Sequence, residues 1–137
     1  MLVEKCMSKK VELVSQNASI QEAAAKMKEF NCGALPVASN DRLVGVITDR
    51  DIVVRTIAAG LSPIVAKVHE AMSYDVFYCY DDEDIDDVAA MMSKNEVCRM
   101  PVVNRDKRLV GIISRSDLTN QSNELATSSL ANIARIH

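Results

Sequence analysis

The apolar residues of this chain change their period along its length. Two short runs, VELVS at 11–15 and VFYCY at 76–80, are rich in β-branched and aromatic residues and read as strands. After each run the apolar positions recur at helical spacing: Ile20, Ala23, Ala24, Met27 and Phe30, then Ile85, Val88, Ala89 and Met92. Ser19-Ile20-Gln21-Glu22 has the form of a capping box ahead of the first helix, and Asp84 takes the cap position ahead of the second. ALPV and RLVGVI flank the polar turn ASND, and MPVV and RLVGII flank NRDK, so each half predicts a hairpin. A further helix follows each hairpin. Each half therefore reads β-α-β-β-α, an α/β (α+β) chain.

The two halves are copies. At an offset of 65 residues they align without a gap from Met7 to Val37, with Met7-Ser8 on Met72-Ser73, Ile20 on Ile85 and Pro36-Val37 on Pro101-Val102. One extra residue then shifts the offset to 66, so that RLVGVI falls on RLVGII and Asp51 on Asp117. AAGLSP at 58–63, with Gly60 and Pro63 as breakers, reads as the linker. The expected organisation is a first repeat at 1–60, a second at 61–121 that includes a linker helix IVAKVHEAM, and a tail at 122–137. A half of about 55–60 residues is marginal alone, so the halves are expected to share a buried face.

The most specific repeat is GVITDRDIVVR at 45–55 against GIISRSDLTNQ at 111–121. Both keep a glycine, two β-branched residues, a hydroxyl and, three residues on, an aspartate. A strand glycine permits close backbone approach. A carboxylate accepts hydrogen bonds from a ribose diol, and a hydroxyl can donate to a phosphate or sugar oxygen. Together they suit a ribonucleotide, with ribose on the aspartate and phosphate near the hydroxyl. The rival reading makes each aspartate part of a helix cap, with no ligand at all.

Over residues from about 3 to 121 the chain resembles a stand-alone tandem pair of CBS (cystathionine-β-synthase-type) domains, a Bateman module. GVITDRD and GIISRSD carry the resemblance, supported by GALPV, CRMPVV and the MS dipeptide before the first strand of each half. It implies two repeats packed sheet to sheet about a pseudo-twofold axis, with clefts between them for adenosine-containing ligands such as AMP, ADP, ATP or S-adenosylmethionine. It also implies a regulatory sensor that forms a homodimer, relays its state to an effector protein, is not an enzyme and needs no cofactor beyond that regulatory nucleotide. The ligand roles map to Thr48 with Asp51 and to Ser114 with Asp117. The preceding strands contribute Ala34 and Pro36 in the first half and Met100 and Pro101 in the second.

The copies differ in charge. The first has Asp49 and Arg50 inside the motif and Arg55 one helical turn past Asp51. The second has Arg115 inside the motif, and Arg99 where the first half has Ala34. Arginine can hold phosphate bidentately, although each of these four is equally readable as a surface charge. On this basis the Thr48–Asp51 set is expected to be the stronger nucleotide site.

Bulk properties narrow the alternatives. The 137 residues are 48% hydrophobic and 26% charged, which fits a globular chain. A net charge of −3 disfavours nucleic acid as partner. No apolar run approaches the roughly 20 residues that span a bilayer, and the first ten residues do not read as a signal peptide. Cys6, Cys32, Cys79 and Cys98 form no CxxC pair and read as reduced thiols of a cytoplasmic protein. His69 and His137 stand far from any cysteine pair, so no zinc set is expected. The six acids of YDDEDIDDVAA lack the spacing of a calcium loop and suit the start of a helix. The methionines read as core filler, and no nucleophile–base set emerges. Leu125, Leu130, Ile133 and Ile136 in the tail have roughly helical spacing and are expected to form a C-terminal helix packed on the dimer or on the other half, the alternative being a docking segment for a partner. The other functional class is a ligand-free structural or dimerisation module.

Overall fold

The structure, a computed structural model, describes residues 1–119; the expected C-terminal helix lies outside them. A 3-10 turn at Val3–Lys5 precedes β1 (Val14–Ser15), α1 (Ile20–Phe30), β2 (Ala34–Ser39) and β3 (Arg42–Thr48). Next come α2 (Asp49–Ile52), a π-helical continuation at Val53–Ile57 and a second 3-10 turn at Val68–Glu70. The second copy follows as β4 (Cys79–Tyr80), α3 (Ile85–Lys94), β5 (Arg99–Val103) and β6 (Leu109–Ser114), after which residues 115–119 are helical. Two three-stranded sheets result, ordered β1-β2-β3 and β4-β5-β6.

The expected elements are present, some of them shorter. β1 and β4 keep only the residues that reach parallel partners: Val14 and Ser15 against Val37 and Ala38, and Cys79 and Tyr80 against Val102 and Val103. Ser19 Oγ accepts the Glu22 N–H at 3.1 Å, and Asp84 Oδ1 accepts the Asp86 N–H at 2.8 Å, so both predicted caps form. Asn40 and Asp41 join β2 to β3 with φ of 51° and 68°, the left-handed pair that a two-residue hairpin turn requires.

The linker is not the helix that its sequence suggests. A turn at residues 62–66 is followed by a single 3-10 segment at Val68–Glu70. The stretch must instead bury Ala66, Val68, Ala71 and Met72, a spacing no single helical face provides. Its main chain is also bonded outward. Ile20 N–H donates to Ala66 O at 3.0 Å and Val68 N–H donates to Ala18 O at 2.9 Å.

Two compact units emerge, and they cut the chain differently from the repeat boundary at residue 60. One comprises Glu12–Phe77 with Lys107–Leu109. The other comprises Met1–Val11, Tyr78–Asp106 and, among the described residues, 110–119. The linker thus packs with the first copy and the N-terminal arm with the second. In the first unit the core contains Val14, Ile20, Met27, Val37, Ile47 and, from the linker, Val68. In the second it contains Cys79, Ile85, Met92, Val102, Ile113 and, from the arm, Val3. Each residue of one series is the repeat equivalent of the other. The arm's bonds repeat the pattern as well: Ile85 N–H donates to Met1 O at 3.0 Å and Val3 N–H donates to Glu83 O at 2.9 Å. Each unit therefore obtains the start of its helix and part of its core from the segment that precedes the other copy's first strand in the sequence repeat.

Candidate functional site

β3 ends at Thr48 because the chain turns there into α2. Thr48 is extended (φ −116°, ψ 163°) and serves as the N-cap. Its Oγ1 accepts the Asp51 N–H at 3.0 Å, while its own N–H donates to Asp51 Oδ2 at 2.9 Å. The second copy repeats this. Asp117 N–H donates to Ser114 Oγ at 3.1 Å and Ser114 N–H donates to Asp117 Oδ2 at 2.9 Å. The repeated hydroxyl-x-x-Asp spacing is thus a reciprocal capping box in both units.

That finding makes the capping role of both aspartates real, and it leaves binding capacity over. In each box Oδ2 and the hydroxyl oxygen are engaged as acceptors. Oδ1 remains an acceptor in each box; the Thr48 hydroxyl proton is left to donate, whereas Ser114 Oγ already shares a hydrogen bond of 3.0 Å with Ser116 Oγ. The aspartates are only half buried. The reciprocal bonds hold both side chains in one geometry, so little ordering cost would accompany a hydrogen bond to a sugar edge.

The glycines have a different cause from the expected approach of sugar and phosphate. A Cβ on Gly45 would stand 2.5 Å from Ser73 O, and one on Gly111 would stand 2.8 Å from Ser8 O and 2.5 Å from Met7 Sδ. The close approach is made by the chain's own MS segments. Val46 and Ser73 exchange backbone bonds of 3.0 and 2.9 Å, and Ser8 and Ile112 exchange two of 2.9 Å. The MS dipeptide, visible as a repeat, is therefore the partner of the motif glycine and holds the strand that carries the hydroxyl.

The other candidate residues divide between the units. In the first, Ala34 is exposed and pairs with Thr48 across the β2–β3 ladder, and Pro36 is buried opposite Val46. Asp49 and Arg50 are exposed. Arg55 is partly committed: Nη1 donates to Ala71 O at 3.3 Å and Met72 O at 3.2 Å, and Nε lies 4.0 Å from Asp51 Oδ1. In the second unit Arg99 and Arg115 are exposed and Pro101 is buried. Met100 is fully buried in the helix-side core, so its side chain has no open face for a ligand and only its main chain remains available.

Cys6, which the sequence shows only as a reduced thiol, packs against the second core. Burial pushes its thiol pKa up, and the nearby Asp117 carboxylate adds to this, so the N-terminal arm lies beside the second box. Cys79, fully buried, is pushed up to about 12, first by burial and then by Glu83, Cys6 and Asp81. All four cysteines are free thiols. Among the described residues, no three His, Cys, Asp or Glu side chains come together as a metal set, and no helix is long and apolar enough to cross a membrane.

The CBS domain family model matches residues 3–56 and 65–124. The CBS domain-containing protein YhcV of Bacillus subtilis is 40% identical over 134 residues, covering 96% of this chain and 94% of its own. The crystal structure of Hypoxic Response Protein I with two coordinated zinc ions superposes with a TM-score of 0.77 at 34% identity, over 88% of this chain and 98% of that one. The CBS domain pair of protein MJ0100, in complex with 5-methylthioadenosine and S-adenosyl-L-methionine, superposes with a TM-score of 0.71 at 31% identity, over 91% and 98%.

Proposed function

This chain belongs to the CBS domain family as a tandem pair, and we propose that it is a regulatory module that binds adenosine-containing ligands through its two Asp-hydroxyl sets. Thr48 with Asp51 and Ser114 with Asp117 take ribose edges, and ligand occupancy is relayed to a partner protein. The observation that carries this reading is the duplicated capping box, which leaves one carboxylate oxygen over in each copy and, in the first, the Thr48 hydroxyl proton. The adenosine compounds held by the MJ0100 pair agree with it. We assign the chain no catalytic step and place it in the cytoplasm with its cysteines as thiols. The exposed Val53, Val54 and Ile57 favour a homodimer.

A ligand-free dimerisation module is the second reading. It is favoured by the completeness of both boxes within the chain, since a helix cap alone accounts for the Thr/Ser and Asp. Thermal melting with AMP, ADP, ATP, S-adenosylmethionine and NAD separates the two. A ligand at about 100 times its dissociation constant adds about 2.7 kcal/mol, on the order of 5–15 °C for this size. Asp51→Ala and Asp117→Ala should each lose whatever part of that shift their own set contributes, and the double variant all of it. A full shift retained in the double variant rules out these residues as the site. No shift with any compound leaves the ligand-free module.

A further inference from the structure

The two capping boxes face different charges across their strand pairs. Leu35, Val37 and Ile47 enter the first core, so Ala34 and Thr48 stand together on the other face of their sheet, paired directly across β2 and β3. Met100, Val102 and Ile113 enter the second core, so Arg99 and Ser114 share the corresponding face. The register there is the same. Asp49 N–H donates to Gly33 O at 2.9 Å in the first unit, and Arg115 N–H donates to the equivalent Cys98 O at 2.9 Å in the second. Arg99 therefore stands directly opposite Ser114, where cross-strand Cβ atoms are about 4.5–5.5 Å apart.

The neighbouring charges reinforce the contrast. Asp49 in the first unit has its carboxylate over Gly33, where an added Cβ would lie 3.0 Å from Oδ2. That places a negative charge beside Ala34. Its repeat equivalent is Arg115. Of the arginines in the first unit, Arg55 already donates to Ala71 O and Met72 O. Among the described residues, Arg50, Arg99 and Arg115 are all exposed and make no side-chain ion pair, but of the three only Arg99 stands across the strands from its box hydroxyl.

We infer that the Ser114–Asp117 set, with Arg99 beside it, is the site for a phosphorylated nucleoside, and that the Thr48–Asp51 set takes a nucleoside without phosphate. This rests on the proposed adenosine-binding role of both sets, and it reverses the order expected from sequence. A ribose hydroxyl on Asp117 Oδ1 brings the ligand within reach of the Arg99 guanidinium, which can grip a phosphate bidentately. At the first set a phosphate meets the methyl of Ala34 and the carboxylate of Asp49.

Calorimetric titration of the full chain with AMP and with adenosine tests this, using wild type, Arg99→Ala, Asp51→Ala and Asp117→Ala. Arg99→Ala should weaken AMP by roughly 10- to 100-fold, the loss of a charge-assisted hydrogen bond, and leave adenosine within about twofold. Asp117→Ala should abolish AMP binding while adenosine still binds; Asp51→Ala should leave AMP unchanged. The fold of each variant is checked by circular dichroism. Unchanged AMP affinity in Arg99→Ala, or loss of AMP in Asp51→Ala instead of Asp117→Ala, overturns the inference and leaves the adenosine-binding role standing. If neither aspartate variant alters binding of either compound, or if neither compound binds wild type, that role falls and the inference with it.

Discussion

Replacing Gly45 by alanine puts a methyl 2.5 Å from Ser73 O and 3.3 Å from Met72 Sδ. The methionine can swing aside. The carbonyl cannot, because Ser73 O accepts the Val46 N–H at 3.0 Å and Ser73 N–H donates back to Val46 O at 2.9 Å. Relief requires the main chain at 72–74 to retreat by about 1 Å, which strains both bonds. Overpacking costs about 1–3 kcal/mol, and a weakened backbone bond adds about 1 kcal/mol. A loss of about 2–4 kcal/mol follows, or about 6–20 °C in melting temperature for a chain of this length. Gly60→Ala is the control. Nothing lies within 4 Å of its Cβ position, and its φ of +78° leaves only left-handed strain, about 1 kcal/mol. Melting followed by circular dichroism, with urea titration alongside, compares the two. If Gly45→Ala melts within 3 °C of wild type, or loses less than Gly60→Ala, the close approach of the MS segment is not what requires glycine.

Asp51→Ala and Asp117→Ala should each lower the ligand-free melting temperature by the cost of a lost capping contact, about 1 kcal/mol, read in the same melts. Val3→Ala should loosen the second copy before the first: hydrogen exchange in Ile85–Lys94 should accelerate more than in Ile20–Phe30, because Val3 is fully buried in the core beneath α3. Cys79 titrates from 9.0 in the unfolded chain to about 12 in the fold. The folded state holds its proton more tightly, so stability is level below pH 9 and falls as pH rises from 9 to 12, by up to about 4 kcal/mol. Urea titrations at pH 8 and 10.5 should show that fall in wild type and a shallower one in Cys79→Ala. Thiol reagents at neutral pH should label exposed Cys98 and spare Cys79 until the chain unfolds.

The repeat, the caps at Ser19 and Asp84, a hairpin turn within ASND and the α/β class were legible in the sequence, although Ala38 and Ser39 of that turn proved to belong to β2. Each depends on local chemistry or on a period that residues a few positions apart reveal. The family was legible for the same reason, since GVITDRD and GIISRSD compress a strand end, a cap and a helix start into seven residues each. What belongs to which unit was not legible. Val3 and Val68 are equivalent in the repeat, yet each lies in the core with the helix of the other copy, a long-range choice that no local pattern records. The reason for Gly45 and Gly111 was hidden likewise, because the atoms that exclude a side chain come from Ser73 and Ser8, far along the chain. Only the tertiary structure put Arg99 opposite Ser114 and turned Arg55 onto the carbonyls of Ala71 and Met72. Sequence supplies the charges of these side chains, but strand register and main-chain approach decide which of them remain open to a ligand.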